Sequence, residues 1–458
     1  MTRNHRRLLT ALSAIALATS GLAGTANAAT QQTSAVGTGT LTAICHDLWD
    51  GVYAAPSSEP LASCQWDMAL IGANDATRAV ADGSGVRVGV IDSGVDFNHP
   101  DIAPNLDLAD SCSYVRSDDP AILAGLADPS EAGNGDCSNK AAVYDRSGHG
   151  THVASEIAAP VNGIGIAGIA PKATIVSLKV CTISTYCFGY AVADALRAAG
   201  DLRLDVVNLS LFADPYLYYC GNDAGQRAME REIASAARYA QQRGVLIVSA
   251  NGNEEQDLRH PVTDTISPDG PDDTPIERVV HNNCRQLPAE LPGVLNVSAT
   301  GPVGYPGYTM DIASYSSVGG DAAAPGGDYF AATGTVQDAI LGAVPPDSDI
   351  FLGFDPLNAQ FPGITVVDHG ATYVYLNGTS MASPHAAGVA ALVVQKHPGW
   401  SPSAVKAAVL RTATPMSCPP NWQPLDSSDE RTRCYGGSDG FTSFFGHGLV
   451  SAAGAARS

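Results

Sequence analysis

Four short segments carry side chains whose types and order could do covalent chemistry. Val90–Ile102 reads VIDSGVDFNHPDI, Ser147–Ser155 reads SGHGTHVAS, Ile247–Glu255 reads IVSANGNEE and Asn377–Gly388 reads NGTSMASPHAAG. They offer a carboxylate at Asp92, imidazoles at His149 and His152, amides at Asn251 and Asn253, and a hydroxyl at Ser380. A serine hydroxyl is a weak nucleophile near neutral pH, so a neutral imidazole must take its proton as it attacks. A carboxylate must then hold that ring in one tautomer and stabilise the imidazolium. An amide and a backbone N–H at a helix start would stabilise the negative oxygen of a tetrahedral intermediate. Alone, each segment has a plainer reading. A strand-terminal Asp often caps a turn, an Asn among glycines often makes one, and Ser380 could be a helix cap. The two histidines lack the H-E-x-x-H spacing of a zinc protease helix.

The elements that must position these groups are also legible. Gly85–Asp92, Ala173–Val180, Leu204–Leu211, Val245–Ala250 and Gly293–Ala299 are short apolar runs, the mark of strands buried on both faces. Helical patterns at Gly189–Gly200 and Gly225–Gly244 separate some of them. This alternation predicts an α/β fold with a doubly wound, mostly parallel central sheet flanked by helices. Functional groups gather at the carboxyl ends of such strands, where Asp92 and Asn253 fall. Asp107–Tyr144, Glu254–Pro292 and Gly326–Tyr375 read as loop insertions, rich in Gly, Pro and Asp or long without a clear period. In Asn377–Gly388 the tiny residues allow close approach around Ser380. The alanines that follow predict a tightly packed helix, with Pro384 tolerated in its first turn.

Composition narrows the function. The chain has 458 residues, 45% hydrophobic, with a formal net charge of −21, so a nucleic acid would be repelled. A basic start, an apolar stretch and Ala26-Asn27-Ala28 read as a signal peptide over residues 1–28 and hence export. No later segment is apolar enough to span a membrane, and the mature chain is expected to be a monomer free of membrane. Ten cysteines suit an oxidising compartment. Sequence proximity favours Cys45–Cys64, Cys112–Cys137, Cys181–Cys187 and Cys418–Cys434, leaving Cys220–Cys284.

Taken together, the four segments resemble the subtilisin-like serine proteases, the subtilases. The resemblance runs from about Gln65 to the C-terminus and includes GIAGIAP at Gly165–Pro171, AAPGG at Ala323–Gly327 and GHGLVSAAGAA at Gly446–Ala456. It implies a peptidase domain over 65–458 that cleaves protein or peptide substrates. The implied triad is Asp92, His149 and Ser380, acting through an acyl-enzyme with no cofactor needed for the chemistry. The oxyanion amide is assigned to Asn253. Asn251 is the competitor, at a position where the family carries Ala. Substrate backbone is expected along Ser210, Leu211 and Phe212 and at Gly252. The resemblance also implies a structural calcium held by Asp101, Asn162 and the carbonyls of Pro160, Ile164 and Ile166, a set of hard oxygens.

Two features depart from the family pattern. Phe212 stands where Gly is usual and is expected to narrow the specificity pocket. Residues 29–64 are too short for the family's inhibitory propeptide and contain Cys45, so they read as an N-terminal arm tied on by a disulfide. Two alternatives follow: a restricted processing protease with a walled cleft, or a catalytically silent binding module. The module would be expected to lack a triad member, and none is missing.

Overall fold

The apolar runs become seven strands of one parallel sheet. We label them β1 (Arg87–Asp92), β2 (Cys112–Ser113), β3 (Thr174–Lys179), β4 (Val206–Leu209), β5 (Leu246–Ala250), β6 (Leu295–Thr300) and β7 (Ala322–Pro325). Their order across the sheet is β7-β6-β5-β4-β1-β3-β2, and every pairing is parallel. The order reverses beside β1, so the crevice at the carboxyl edge opens next to Asp92, where ligands bind in such sheets. This computed structural model describes residues 36–271, 273–420, 422–425, 429–431, 433–436 and 440–458. The proposed signal peptide lies outside the described residues.

Strand alternation divides the core. Val88, Val90, Val206, Leu246 and Val248 enter one apolar cluster, while Ile91, Val207, Leu209 and Ile247 enter another. The first face is covered by α3 (His149–Ala158) and α6 (Thr379–Lys396), the second by α4 (Gly189–Asp201) and α5 (Ala224–Gln242). α7 (Pro402–Thr412) packs beside α6.

Gly326–Tyr375, expected to be a loop insertion, instead builds a second sheet. β8 (Ile340–Val344), β9 (Thr365–Asp368) and β10 (Ala371–Leu376) pair antiparallel, with β10 in the centre. The β9–β10 turn places His369 and Gly370 at φ 49° and 85°, the two positive values a tight hairpin needs. The short strand Val36–Gly37 adds to β9, followed by α1 (Thr38–Trp49) and, further along, α2 (Trp66–Leu70). Leu41, Cys45 and Trp49 of α1 are buried in the main core, so residues 36–64 are built into the body of the fold. The four pairings favoured by proximity and the remaining pair, Cys220–Cys284, are all disulfides in the structure.

Candidate active site

Asp92 ends β1 and is 2% exposed. Its Oδ1 accepts from Ser93 N–H at 2.7 Å and pairs with His149 Nδ1 at 2.7 Å. His149 opens α3, whose first turn lies against the strand end. A side chain at Gly150 would collide with the Gly94 carbonyl and come within 3.2 Å of Asp92, so only glycine permits this approach. The sequence reading missed the group that fixes this junction, Asp145. Its buried Oδ1 accepts from Gly148 N–H at 2.8 Å and Ser93 Oγ at 2.9 Å, while Oδ2 accepts from Thr151 N–H at 2.9 Å. Ser93 Oγ in turn accepts from Gly150 N–H at 2.9 Å. An Asp three residues before a helix-opening glycine was the available signal, since such carboxylates satisfy free N–H groups at helix starts.

Burial alone would lower the His149 pKa. The Asp92 carboxylate, by charge and hydrogen bond, with further negative charge from Asp145 and Glu156, outweighs burial and raises it. With Nδ1 turned to Asp92, Nε2 is the nitrogen left to exchange a proton.

Ser380 lies in the first turn of α6, which packs against α3 and three central strands. Its Oγ donates to the Ser210 carbonyl at 3.2 Å, and the structure contains no His149–Ser380 hydrogen bond. Such bonds are often formed only once substrate is in place, and rotation about χ1 moves the hydroxyl.

Pro384 is not in the first turn, as expected, but sixth in the helix. It has no N–H for the Ser380 carbonyl one turn back, and Ser210 Oγ donates to that carbonyl at 2.7 Å instead. Ser210 Oγ also accepts from Asn208 Nδ2 at 2.9 Å and lies 2.9 Å from Ser383 Oγ. The segment beginning Ser210-Leu211-Phe212 is thereby locked to the serine helix. The Phe212 ring is half-buried and packs against a satellite cluster that includes Leu217, Tyr218, Leu258 and Val280. Leu211 is partly exposed and packs instead against the core cluster on the α4–α5 face of the sheet.

The two candidate amides are placed very differently. Asn253 Oδ1 accepts from Thr379 N–H and Oγ1, both at 2.9 Å, which orients its Nδ2. Gly252 N–H donates to Thr379 Oγ1 at 3.0 Å. A Cβ at Gly378 would lie 3.5 Å from Ser380 N and 3.7 Å from Asn253 Nδ2, so both donors border one small space. Asn251 is fully buried, and its Nδ2 donates to Ser298 Oγ at 3.0 Å.

His152 is fully buried. Its Nδ1 bonds Glu156 Oε1 at 2.8 Å, and its Nε2 meets the Val374 and Ile340 carbonyls. Glu156 Oε2 lies 3.1 Å from His385 Nδ1, and His385 Nε2 lies 2.9 Å from Asp67 Oδ2. Burial disfavours a charged His385, but Asp67 and Glu156 outweigh it and raise its pKa to about 10. This network ties α2, α3 and α6 together beneath the site. It was invisible in sequence because its members come from three distant segments.

The residues expected to hold calcium do come together, but donors rather than free lone pairs converge on Asp101. Its Oδ2 accepts from Tyr373 Oη at 2.7 Å and Ile166 N–H at 3.3 Å, and its Oδ1 from Asn162 Nδ2 at 3.1 Å. Asn162 Oδ1 accepts from Ile164 N–H at 2.9 Å. Gly163 and Gly165 turn their N–H groups to Glu59 and Asp368. The Tyr373 hydroxyl sits where a side chain at Gly165 would stand. These donors satisfy Asp101 from within the protein, so a cation held there with Asn162 and the Pro160, Ile164 and Ile166 carbonyls would have to displace them. Burial pushes the Asp101 carboxyl up to about 7, against these hydrogen bonds.

Comparisons with known proteins agree with the fold. A profile of the subtilase family matches residues 83–448. Subtilisin Savinase of Lederbergia lenta is 29% identical over 395 residues, covering 86% of this chain and 99% of that protein. Fervidolysin of Fervidobacterium pennivorans is 30% identical over 363 residues, or 78% of this chain and 41% of that protein. Its crystal structure, described as a keratinolytic enzyme related to subtilisin, superposes with a TM-score of 0.59 at 26% identity, over 89% of this chain and 48% of that one. The epidermin leader peptide processing serine protease of Staphylococcus aureus shares the fold. Its TM-score is 0.61 at 23% identity, over 88% of this chain and 83% of that one.

Proposed function

The chain belongs to the subtilase family and is a serine endopeptidase, and from that premise we propose that Asp92, His149 and Ser380 form its catalytic triad. The observation that carries this reading is the joint placement of two half-sites. Asp92 holds His149 at 2.7 Å, and the Ser380 N–H and Asn253 amide border one space beside the serine hydroxyl.

The chemistry follows from that geometry. Substrate displaces the Ser380 hydroxyl from the Ser210 carbonyl, and the hydroxyl attacks the scissile carbonyl carbon. His149 Nε2 takes the hydroxyl proton, and Asp92 stabilises the imidazolium. The oxyanion accepts hydrogen bonds from Ser380 N–H and Asn253 Nδ2. The imidazolium then protonates the leaving amine, and water hydrolyses the acyl-enzyme by the same steps in reverse roles. All of this uses side chains and backbone of one chain and needs no cofactor.

Export is part of the proposal. The signal-like residues 1–28 support it, as do five disulfides, which persist in oxidising surroundings. A second reading, a processing protease of restricted range, is favoured by Phe212, which follows Ser210 by two residues and is held by its packing against the satellite cluster. The fold it shares with a leader-peptide processing protease is in keeping. The test is hydrolysis of denatured casein alongside a panel of folded proteins, by wild type and Ser380→Ala. Cleavage by wild type alone is expected, and equal cleavage by both would refute the assignment.

A further inference from the structure

A buried ion pair stands beside the triad, and half of it comes from an insertion. Lys179 ends β3 and is fully buried, while Glu131, 1% exposed, belongs to the Asp107–Tyr144 segment. Lys179 Nζ donates to Glu131 Oε2 and to the Tyr144 carbonyl, each at 2.8 Å. Lys179 is the register partner of Asp92 where β1 and β3 pair in parallel. Their side chains therefore leave the sheet on one face, the face that α3 covers. Exchanging such a pair for apolar residues of like volume is often neutral or stabilising, so bulk stability alone gives no reason for it.

Both halves connect to the catalytic junction. The Tyr144 carbonyl leads into Asp145, whose carboxylate accepts from Gly148, Thr151 and Ser93 around His149 and Asp92. Val95 N–H donates to the Val143 carbonyl at 3.2 Å and Asp145 N–H to the Val95 carbonyl at 3.3 Å, so residues 143–145 lie against the chain leaving β1. A Cβ at Gly94 would collide with the Val143 carbonyl and come within 3.2 Å of both Asp145 N and Lys179 Cδ, so the lysine stem is packed into this junction. Glu131 ties in the other side. It accepts from Ile183 N–H at 3.1 Å, inside the loop that Cys181–Cys187 closes, and from Asp128 N–H at 3.3 Å in a capping box.

Charges on several elements act at this place. Burial lowers the His149 pKa, and Asp92, Asp145 and Glu156 together raise it. Beyond Glu156 lie His385 and Asp67. Burial raises the Asp145 carboxyl, while its hydrogen bonds and the Lys179 charge oppose the rise, so the ammonium acts within the junction. On the insertion side, fully buried Asp119 faces Glu131 and accepts from Tyr190 Oη, and Arg146 pairs with Asp128 at the exposed rim. We propose that Glu131 and Lys179 are positioning residues for the triad. Lys179 fixes the Tyr144–Asp145 backbone that holds His149 against Asp92. Glu131 cancels the ammonium charge, which left alone would oppose the imidazolium formed as Ser380 attacks. The inference rests on the triad assignment, because both residues act through Asp145, Asp92 and His149 and neither reaches the surface.

The test is steady-state kinetics on a small peptide substrate across pH, with active sites counted by a fluorophosphonate so that misfolded protein drops out. Glu131→Gln keeps the shape and the capping box but leaves the ammonium without its counter-charge. Its kcat/KM midpoint should fall by roughly half a pH unit, because an added positive charge disfavours the imidazolium. The double variant Glu131→Gln, Lys179→Met removes both charges, so its midpoint should return to that of wild type. Its kcat per active site should still be down about tenfold or more with KM little changed, since the Tyr144 carbonyl has lost its donor and His149 its placement. A pair that merely stabilised the fold would lower the melting temperature and the active fraction and move neither readout. If Glu131→Gln yields no active sites, the double variant, free of an unpaired charge, decides by its kcat. Wild type that labels, beside an unmoved midpoint in Glu131→Gln or a wild-type kcat in the double variant, would overturn the positioning role and leave the triad standing. Wild type that takes up no phosphonate and cleaves no peptide would overturn the triad reading and this inference with it.

Discussion

Replacing Asn253 separates the two jobs its amide holds in the structure. Its Nδ2 borders the space beside Ser380 N, while its Oδ1 accepts from Thr379 N–H and Oγ1 at 2.9 Å each. Asn253→Ala removes both functions. Loss of one oxyanion donor costs roughly 100- to 1000-fold in kcat, about 2.7–4 kcal/mol, with little change in KM because the charge exists only in the transition state. Loss of the Thr379 bonds adds about 1 kcal/mol of instability, the typical net worth of a hydrogen bond. Asn253→Asp keeps the acceptor for Thr379 but points a carboxylate at the oxyanion, so its melting temperature should stay near wild type while kcat falls at least as far as in the alanine variant. Asn251→Ala is the contrast. It leaves Ser298 Oγ without its buried donor, so it should destabilise the protein yet leave turnover of the folded enzyme within a few-fold of wild type. The assay is steady-state kinetics on a small peptide substrate beside thermal melts. Slower turnover in Asn251→Ala than in Asn253→Ala would refute the placement of the oxyanion site.

The activity of wild type should rise with pH about a midpoint above the ordinary histidine value of about 6.5, because His149 must be neutral to act and its pKa is raised. Glu156→Gln removes one of the charges that raise it, so a kcat/KM pH profile should shift to lower pH, and an unmoved midpoint would contradict the assigned cause. Ser210→Ala should cost about 1–2 kcal/mol in denaturant melts because it frees the Ser380 carbonyl. Adding Pro384→Ala restores an N–H there, so the double variant should be more stable than the two single changes predict by at least roughly 0.5 kcal/mol. Melting temperatures in chelator and in millimolar calcium should coincide, since donors already surround Asp101. A calcium-dependent rise would show a folded-state ligand and overturn that reading.

Much of the scaffold was legible because its physics is local. The strand runs around Val90, Val207 and Val248 announce burial on both faces, and α4 and α5 emerge close to their sequence patterns. Gly326–Tyr375 was misread because its hairpin turns at His369-Gly370 rather than at Asn-Gly or Asp-Gly, the stronger signals. Pro384 was misplaced because its compensation comes from Ser210, on a different strand end. The calcium expectation followed Asp101 and Asn162 correctly to one place. What the sequence did not show was Tyr373, more than two hundred residues away, whose hydroxyl donates to Asp101. Proximity was a good guide to the disulfides, four of which join cysteines no more than 25 residues apart.

The central claim, that Ser380 is the nucleophile activated by His149, is tested most directly by covalent labelling. Wild type incubated with a fluorophosphonate should gain a single adduct, located by peptide mass spectrometry on Ser380. Labelling should be lost in Ser380→Ala and slowed by orders of magnitude in His149→Ala, with both variants melting as folded proteins. An adduct on any other residue, or undiminished peptide hydrolysis by folded Ser380→Ala, would contradict the account.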